Sequence, residues 1–264
     1  HRLGHRSLPR DRGGHEETQV RVTGENMDAR SDPEFLYRYR HLQGVHREYT
    51  SRILTDSVLY FASPRDFNDP FDCKVHFVLR ASKADLCDKY DDLVRARRPE
   101  LNRRQRRAKV VADVKRVGRS LFAKSLIEKS QERMNGLGVL SLAADNSDLL
   151  LWAHYAAGHT GLCLQFRGTS DAPFFGRAQP VAYSTAYPQV DPVLDPPDRL
   201  VDALILTKAS DWAYEDEWRV TDHETGPGLK AFPEELLVGV ILGAAMPPDD
   251  RRYVAGLVQK RQHP

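Results

Sequence analysis

The segment at residues 212–219, Trp-Ala-Tyr-Glu-Asp-Glu-Trp-Arg, constrains the fold more than any other part of the chain. If a strand begins at Glu215, its side chains alternate, so Glu215, Glu217 and Arg219 share one face. Trp218 then anchors the opposite face to a core, while Glu217 points into a cleft beside a cation that keeps it ionised. The plainer interpretation is an edge strand with a hydrated, charged face. The segment alone favours this plainer interpretation, because charged strand faces are common.

The remaining composition is that of a globular protein. Hydrophobic residues make up 41% of the chain and charged residues 29%, and the net charge of +2 gives no argument for nucleic acid. Three widely spaced cysteines lack zinc-site spacing and indicate reduced thiols. No apolar run is long enough to span a bilayer. The sequence therefore predicts a cytoplasmic protein without a metal or a membrane partner, and it gives no oligomeric state.

Residues 1–33 are polar and contain no aromatic side chain, so they are predicted to form a disordered tail. Residues 34–264 alternate between strand-like and helix-like segments, which predicts a single α+β (mixed α/β) domain. Strands are predicted at residues 35–40, 58–62, 74–79, 138–142, 161–166, 181–183 and 236–242. Helices are predicted at residues 45–55, 148–157, 200–209 and 249–259, with Asp148 or Ser147 as the N-cap of the second.

A basic helical insertion is predicted at about residues 81–135, where valines recur at helical spacing. Eleven Lys and Arg residues fall between residues 95 and 119, against only two carboxylates. One interpretation is contact with nucleic-acid phosphates through Arg103, Arg104, Arg106 and Arg107. The other is a solvated helix face with packed valines and exposed arginines. The second is favoured, because no aromatic residues are interleaved for base stacking.

Several motifs together resemble the bacterial family catalogued as domain of unknown function 2971. They are residues 36–40 and 59–73 near the start, 140–142, 151–155 and 161–166 in the middle, and Lys208, 212–219 and 240–243 near the end. The resemblance runs from about residue 35 to the C-terminus and omits the basic insertion. It implies no activity. Members of this family usually continue past the final helix into one more strand.

The order of elements also resembles the ADP-ribosyltransferase superfamily. This resemblance implies a split-sheet core with three motif segments and NAD as the substrate. Arg40 takes the place of the superfamily's first motif residue, and Ser141 and Tyr155 take the places of the second group. Glu217, the second carboxylate of Glu-Asp-Glu, takes the place of the third.

That resemblance implies a role for each site residue. Glu217 stabilises a ribosyl cation and Glu215 orients the acceptor or takes its proton. Nucleotide contacts are expected from Arg40 to phosphate or ribose, Lys208 to phosphate, Tyr155 and Trp152 to nicotinamide, and His154 to substrate. Structural alternatives stand beside these roles. Arg40 could pair with an acid, Trp152 could belong to the core, His154 could cap a buried hydrogen bond, and Lys208 could neutralise a helix C-terminus.

Three functions compete. The first is an ADP-ribosyltransferase or NAD glycohydrolase, acting as a toxin or antiphage effector on a nucleic-acid or protein acceptor. The second is a nucleic-acid enzyme or binder that uses the basic segment with His154 and Glu217. The third is a binding module without turnover. The first requires Arg40, Ser141, Tyr155 and Glu217 to converge on one cleft. It also predicts that Glu217→Gln lowers turnover and leaves stability nearly unchanged.

Overall fold

The computed structural model describes residues 32–67 and 69–261, without the side chains of Val117 and Arg119. Of the predicted tail at residues 1–33, residues 1–31 lie outside the described residues. In chain order the first elements are β1 (Phe35–Arg40), α1 (His46–Asp56), β2 (Val58–Phe61), β3 (His76–Phe77), α2 (Lys83–Arg97), α3 (Arg103–Val117), α4 (Arg119–Asn135), β4 (Gly138–Ala143), α5 (Leu149–Tyr155) and β5 (Leu162–Arg167). The others are β6 (Gln179–Pro180), β7 (Ala182–Ser184), β8 (Gln189–Val190), α6 (Pro197–Ile205), β9 (Thr207–Ala209), β10 (Glu217–Asp222), β11 (Gly228–Ala231), β12 (Leu237–Leu242) and α7 (Pro248–Val258).

A six-stranded sheet with the order β12-β5-β1-β4-β10-β6 forms the centre of this structure. Every neighbouring pair in it is antiparallel. Short pairs lie outside it: β2 with β11 antiparallel, and β3 with β8 and β7 with β9 parallel. The predicted α+β class is therefore confirmed. No helix among the described residues is both long and apolar enough to cross a membrane.

The boundary between β1 and β4 differs from the rest of the sheet. Six register pairs join β1 to β5 and six join β4 to β10, whereas β1 meets β4 at Tyr37 and Ala143. Beyond that point the Arg38 guanidinium donates to the Ser141 carbonyl. Side chains therefore continue the connection where the backbone ladder stops. We call this boundary the seam.

The two faces of the sheet bury different side chains. One face carries the main aliphatic core, which α1 and α7 cover; its members include Leu36, Leu140, Leu142, Leu164, Phe166, Trp218 and Val220. The other face packs Tyr39, Ala143 and Cys163 against α5. Glu217 and Arg219 alternate with Trp218 along β10 and lie on this second face. The predicted alternation, with Trp218 in the core and the charges opposite, is confirmed.

Helices α2, α3 and α4 occupy the region predicted to be helical. Both α2 and α3 begin with a capping box, Ser82 with Asp85 and Asn102 with Gln105. Val94, Val110 and Val114 hold α2 and α3 together. Val111, by contrast, is exposed.

The prediction that Arg106 contacts phosphates is wrong, because Arg106 is buried between α2 and α3. Its Nη1 donates to the Leu101 carbonyl at 3.1 Å, and its Nε lies 3.5 Å from the Asp91 carboxylate. The Arg106 side chain therefore links α3 to α2 and to the loop between them. Arg103, Arg104 and Arg107 are exposed, as predicted.

Candidate functional site

A cleft of about 320 Å³ lies along the seam, within the size range of small-molecule sites. The predicted convergence of Arg40, Ser141, Tyr155 and Glu217 on one cleft is confirmed. His154, Lys208 and Glu215 line it as well. A second groove, between β12 and α7, is lined mainly by aliphatic side chains and offers little chemistry. The seam cleft is therefore the candidate site.

Backbone geometry brings two carboxylates together at the start of β10. Residues Ser210–Glu215 form a 3-10 helix, and Asp216 turns the chain with a φ of 39° before Glu217 opens the strand. The prediction that the strand begins at Glu215 is therefore wrong. The tight turn nevertheless leaves Glu215 and Glu217 close enough to share one cation.

That cation is Lys208, whose Nζ donates to Glu215 and, at 2.9 Å, to Glu217 Oε2. The helix predicted over residues 200–209 ends at Ile205, so Lys208 lies on β9 and not at a helix C-terminus. Burial lowers the pKa of Lys208, but Glu217 and Glu215 more than offset this, so the pKa is raised. Lys208 is therefore a buried ammonium held between two carboxylates.

Arg219 supplies the second cation and is fully buried. Its Nε and Nη2 donate to the two Glu217 oxygens at 2.7 and 3.0 Å. Its Nη1 and Nη2 also donate to Asp72 at 2.9 and 2.7 Å, and Nη1 donates to the Ile205 carbonyl at 2.6 Å. One guanidinium thus fixes two carboxylates through paired hydrogen bonds. Sequence reasoning missed Asp72, which comes from a loop far away in the chain.

Glu217 is consequently ionised and immobile. Burial raises its pKa, but Arg219, Lys208 and a hydrogen bond from the Ser141 side chain lower it to about 2. These donors fill the acceptor sites of a carboxylate. Glu215, by contrast, accepts from Tyr155 at 2.7 Å and from Lys208, which leaves acceptor sites for a ligand.

Two guanidinium groups, Arg38 and Arg40, and two imidazoles, His41 and His46, also line the cleft. Burial, then His46 and Arg40, lower the pKa of His41, so its imidazole carries no charge at neutral pH. Burial and then Arg40 lower the pKa of Arg38 to about 9, so it remains largely charged at neutral pH. Arg40 Nε lies 3.4 Å from Thr50 Oγ1 of α1, and the two imidazole rings lie 4.2 Å apart. We call Arg38 and Arg40 the cationic wall. Sequence reasoning chose Arg40 and missed Arg38, although the two alternate on one strand.

Aromatic side chains border the carboxylate end of the cleft. Tyr155 and Trp212 line it, and the Trp212 ring centroid lies 5.1 Å from Lys208 Nζ. Burial and the neighbouring Glu215 raise the pKa of Tyr155, so its hydroxyl remains a donor. His154 lies beside them, with its ring centroid 6.4 Å from that of Tyr155.

Trp152 does not line the cleft, so its predicted contact with nicotinamide is not supported by this arrangement. Its buried ring meets the edge of Tyr39 and stacks on His159, and its Nε1 donates to the Asn146 carbonyl at 2.8 Å. Trp152 therefore belongs to the core, which was the structural alternative that the sequence allowed. Sequence periodicity could not separate the two roles, because Tyr155 lies on the same short helix and does reach the cleft.

No group of three metal-ligating side chains occurs within the described ranges. Comparison of the chain with protein-family models, with curated proteins and with solved structures finds no match.

Proposed function

We propose that this protein cleaves the nicotinamide–ribose bond of NAD⁺, as an ADP-ribosyltransferase or NAD glycohydrolase. One observation carries the proposal. An ionised, immobilised carboxylate, Glu217, lies in the same cleft as the cationic wall. Such a cleft offers anion recognition at one side and stabilisation of positive charge at the other.

The chemistry follows from those charges. When the glycosidic bond breaks, its electron pair moves to the pyridinium nitrogen and neutralises nicotinamide, which leaves an oxocarbenium-like ribosyl cation. A fixed carboxylate stabilises that cation most where water is excluded. Because the Glu217 oxygens already accept four hydrogen bonds, we assign Glu217 a through-space electrostatic role. Water or an acceptor then attacks the ribosyl carbon and loses a proton.

Glu215 is suited to receive that proton. Two of its acceptor sites remain open, and Tyr155 and Lys208 hold it at the cleft wall. A general base needs this combination of fixed position and free acceptor capacity. Glu215 therefore orients the attacking group, whether water or an acceptor, while Glu217 stabilises the cation.

The cationic wall is suited to the diphosphate. Arg38 and Arg40 present planar guanidinium groups, which recognise phosphate oxygens through paired hydrogen bonds. Tyr155 and Trp212 at the other end offer aromatic surface to the nicotinamide ring. A bent dinucleotide would place its charged linker and its leaving group against complementary side chains.

The seam adds support for the ADP-ribosyltransferase resemblance, since a sheet that opens between two strands is what the expected split-sheet core requires. The motifs shared with domain of unknown function 2971 are consistent with the same proposal. An enzyme that consumed NAD⁺ in the cytoplasm would deplete it or modify a protein or nucleic acid. Either effect suits a toxin or an antiphage effector.

The test is nicotinamide release from labelled NAD⁺ by the purified protein, with and without added protein or nucleic acid. Glu217→Gln should lower turnover roughly a hundredfold, which is the loss typically measured when a preorganised electrostatic group is removed. The rate is measured well below the melting temperature of the variant. Arg40→Gln should mainly raise the KM for NAD⁺. Glu224→Gln, an exposed charge loss on the turn after β10, is the matched control and should keep wild-type turnover.

Two results would overturn the proposal. One is wild-type protein that binds no NAD⁺, and the other is a folded Glu217→Gln variant with an unchanged rate. Tight NAD⁺ binding without nicotinamide release under any acceptor would instead identify a binding module that uses the same cleft.

A further inference from the structure

The connecting end of the α2–α3 pair gathers arginines from two helices. The helices form an antiparallel hairpin, because only residues 98–102 connect α2 to α3 and the two helices pack on each other. The last turn of α2 and the first turns of α3 therefore lie at the same end. Their exposed basic side chains are Arg95, Arg97, Arg103, Arg104 and Arg107, which we call the basic tip.

Three carboxylates near the basic tip are already paired elsewhere. Asp113 lies 2.9 Å from Lys109 and 3.2 Å from Arg116. Asp91 faces Arg106, and Glu100 pairs with Arg98. No ion pair within the described part of the chain involves a basic-tip arginine. Asp92, one turn before Arg95, is exposed and forms no ion pair among the described residues, so five arginines stand beside one such carboxylate and the tip keeps an excess of positive charge.

The two helices that carry the basic tip are held together. Val94, Val110 and Val114 form one buried cluster, and Arg106 is buried as well, against Leu101 and Asp91. Arg103 and Arg107 are one turn apart, about 6 Å along the helix axis. The helices therefore present these guanidinium groups to phosphates at a fixed spacing of the backbone, and each exposed side chain still loses rotamer entropy on binding.

We infer that the basic tip binds the phosphate backbone of double-stranded nucleic acid without sequence preference. Phosphate contact from Lys and Arg supplies most non-specific affinity for duplexes. The tip carries no aromatic side chain for stacking on unpaired bases, which argues against single strands. This surface is separate from the seam cleft, and the inference does not rest on the proposed NAD chemistry.

The test measures anisotropy of a short labelled duplex of mixed sequence while salt is raised from about 50 to 200 mM. Roughly five phosphate contacts predict a slope near −4.5 in log affinity against log salt, hence a loss on the order of several hundredfold. The variant combining Arg103→Gln, Arg104→Gln and Arg107→Gln should make the slope shallower by about 3. Its circular dichroism should be unchanged, since the three side chains are exposed.

The matched control combines Lys129→Gln, Arg167→Gln and Lys260→Gln, which removes the same charge from three exposed positions on other elements. It should keep the wild-type slope. Equal slopes in the two triple variants, or binding that does not respond to salt, would overturn the inference. So would tighter binding to single strands, to an acidic peptide or to anionic vesicles than to the duplex. Nicotinamide release is measured in a separate assay. The proposed NAD⁺ cleavage and the duplex binding of the basic tip can therefore be refuted independently.

Discussion

Replacing Glu217 by Gln should destabilise the protein, contrary to the expectation from sequence. Both Glu217 oxygens accept hydrogen bonds from cations, Lys208 and Arg219, in a buried environment. A glutamine amide can accept at one of these positions but must place its NH₂ group against donors at the other. The buried cations Lys208 and Arg219 also lose one of the negative charges that balance them. The shape is preserved, so the effect isolates charge and donor–acceptor matching.

The magnitude follows from the pKa of Glu217, which is about 2 against an ordinary value of 4.5. That difference corresponds to about 3 kcal/mol of stability. Removing one partner of a buried ion pair typically costs about 3–5 kcal/mol, which agrees. The folded-state pKa is depressed, so this contribution is complete above the unfolded-state pKa and is lost as pH falls toward 2. It should decrease from about 3 kcal/mol at pH 7 to roughly half of that at pH 3.

The assay is denaturant unfolding of wild type and Glu217→Gln from pH 7 to pH 3, with the difference taken at each pH so that titrating groups outside the Lys208 and Arg219 cluster cancel. Glu224→Gln is the control and should stay within about 0.5 kcal/mol of wild type throughout. A Glu217→Gln variant as stable at pH 7 as that control would refute the reasoning. A large difference that does not diminish toward pH 3 would show that packing, and not charge, is responsible.

Two further predictions concern the elements that position the site. Trp218→Ala, on the core face of β10, should cost about 3–5 kcal/mol in denaturant unfolding, and a loss below 1 kcal/mol would contradict its place in the core. Asp148→Ala should cost about 1 kcal/mol, because the Asp148 carboxylate accepts from the Leu151 amide at 2.8 Å and caps α5. Asp148→Asn should recover most of that loss, and equal losses for the two variants would exclude capping as the cause.

Local patterns predicted those parts of the fold that local physics determines. The alternation of residues 217–220 placed Trp218 in the core and Glu217 on the other face, because strand geometry alone fixes which side chains share a face. The sequence offered Asp148 or Ser147 as the N-cap of α5, and Asp148 takes the position because its short carboxylate reaches the amide of Leu151 in the first helical turn. The strand at residues 35–40 was predicted with its observed bounds.

The parts of the site that could not be predicted from the sequence depend on contacts between residues far apart in the chain. Asp72 and Arg219 are 147 residues apart, and no local pattern links a loop carboxylate to a strand guanidinium. Lys208 follows an apolar helical run, yet its backbone pairs with β7 and its ammonium meets two carboxylates, so tertiary contacts overrode the periodicity. Arg106 looks like its basic neighbours in sequence. Only the packing of α3 on α2 separates the buried arginine from the exposed ones.

The seam affects the width of the cleft, because it changes what holds β1 and β4 at their distance. A full ladder of backbone hydrogen bonds would hold β1 and β4 at the fixed spacing of a sheet, about 4.8 Å, whatever the side chains. Here the ladder stops at Tyr37 and Ala143, and Arg38 spans the remaining gap. Beyond Tyr37 the distance between the two halves of the sheet is therefore not fixed by backbone hydrogen bonds, and we expect substitutions at residue 38 to change the opening of the cleft.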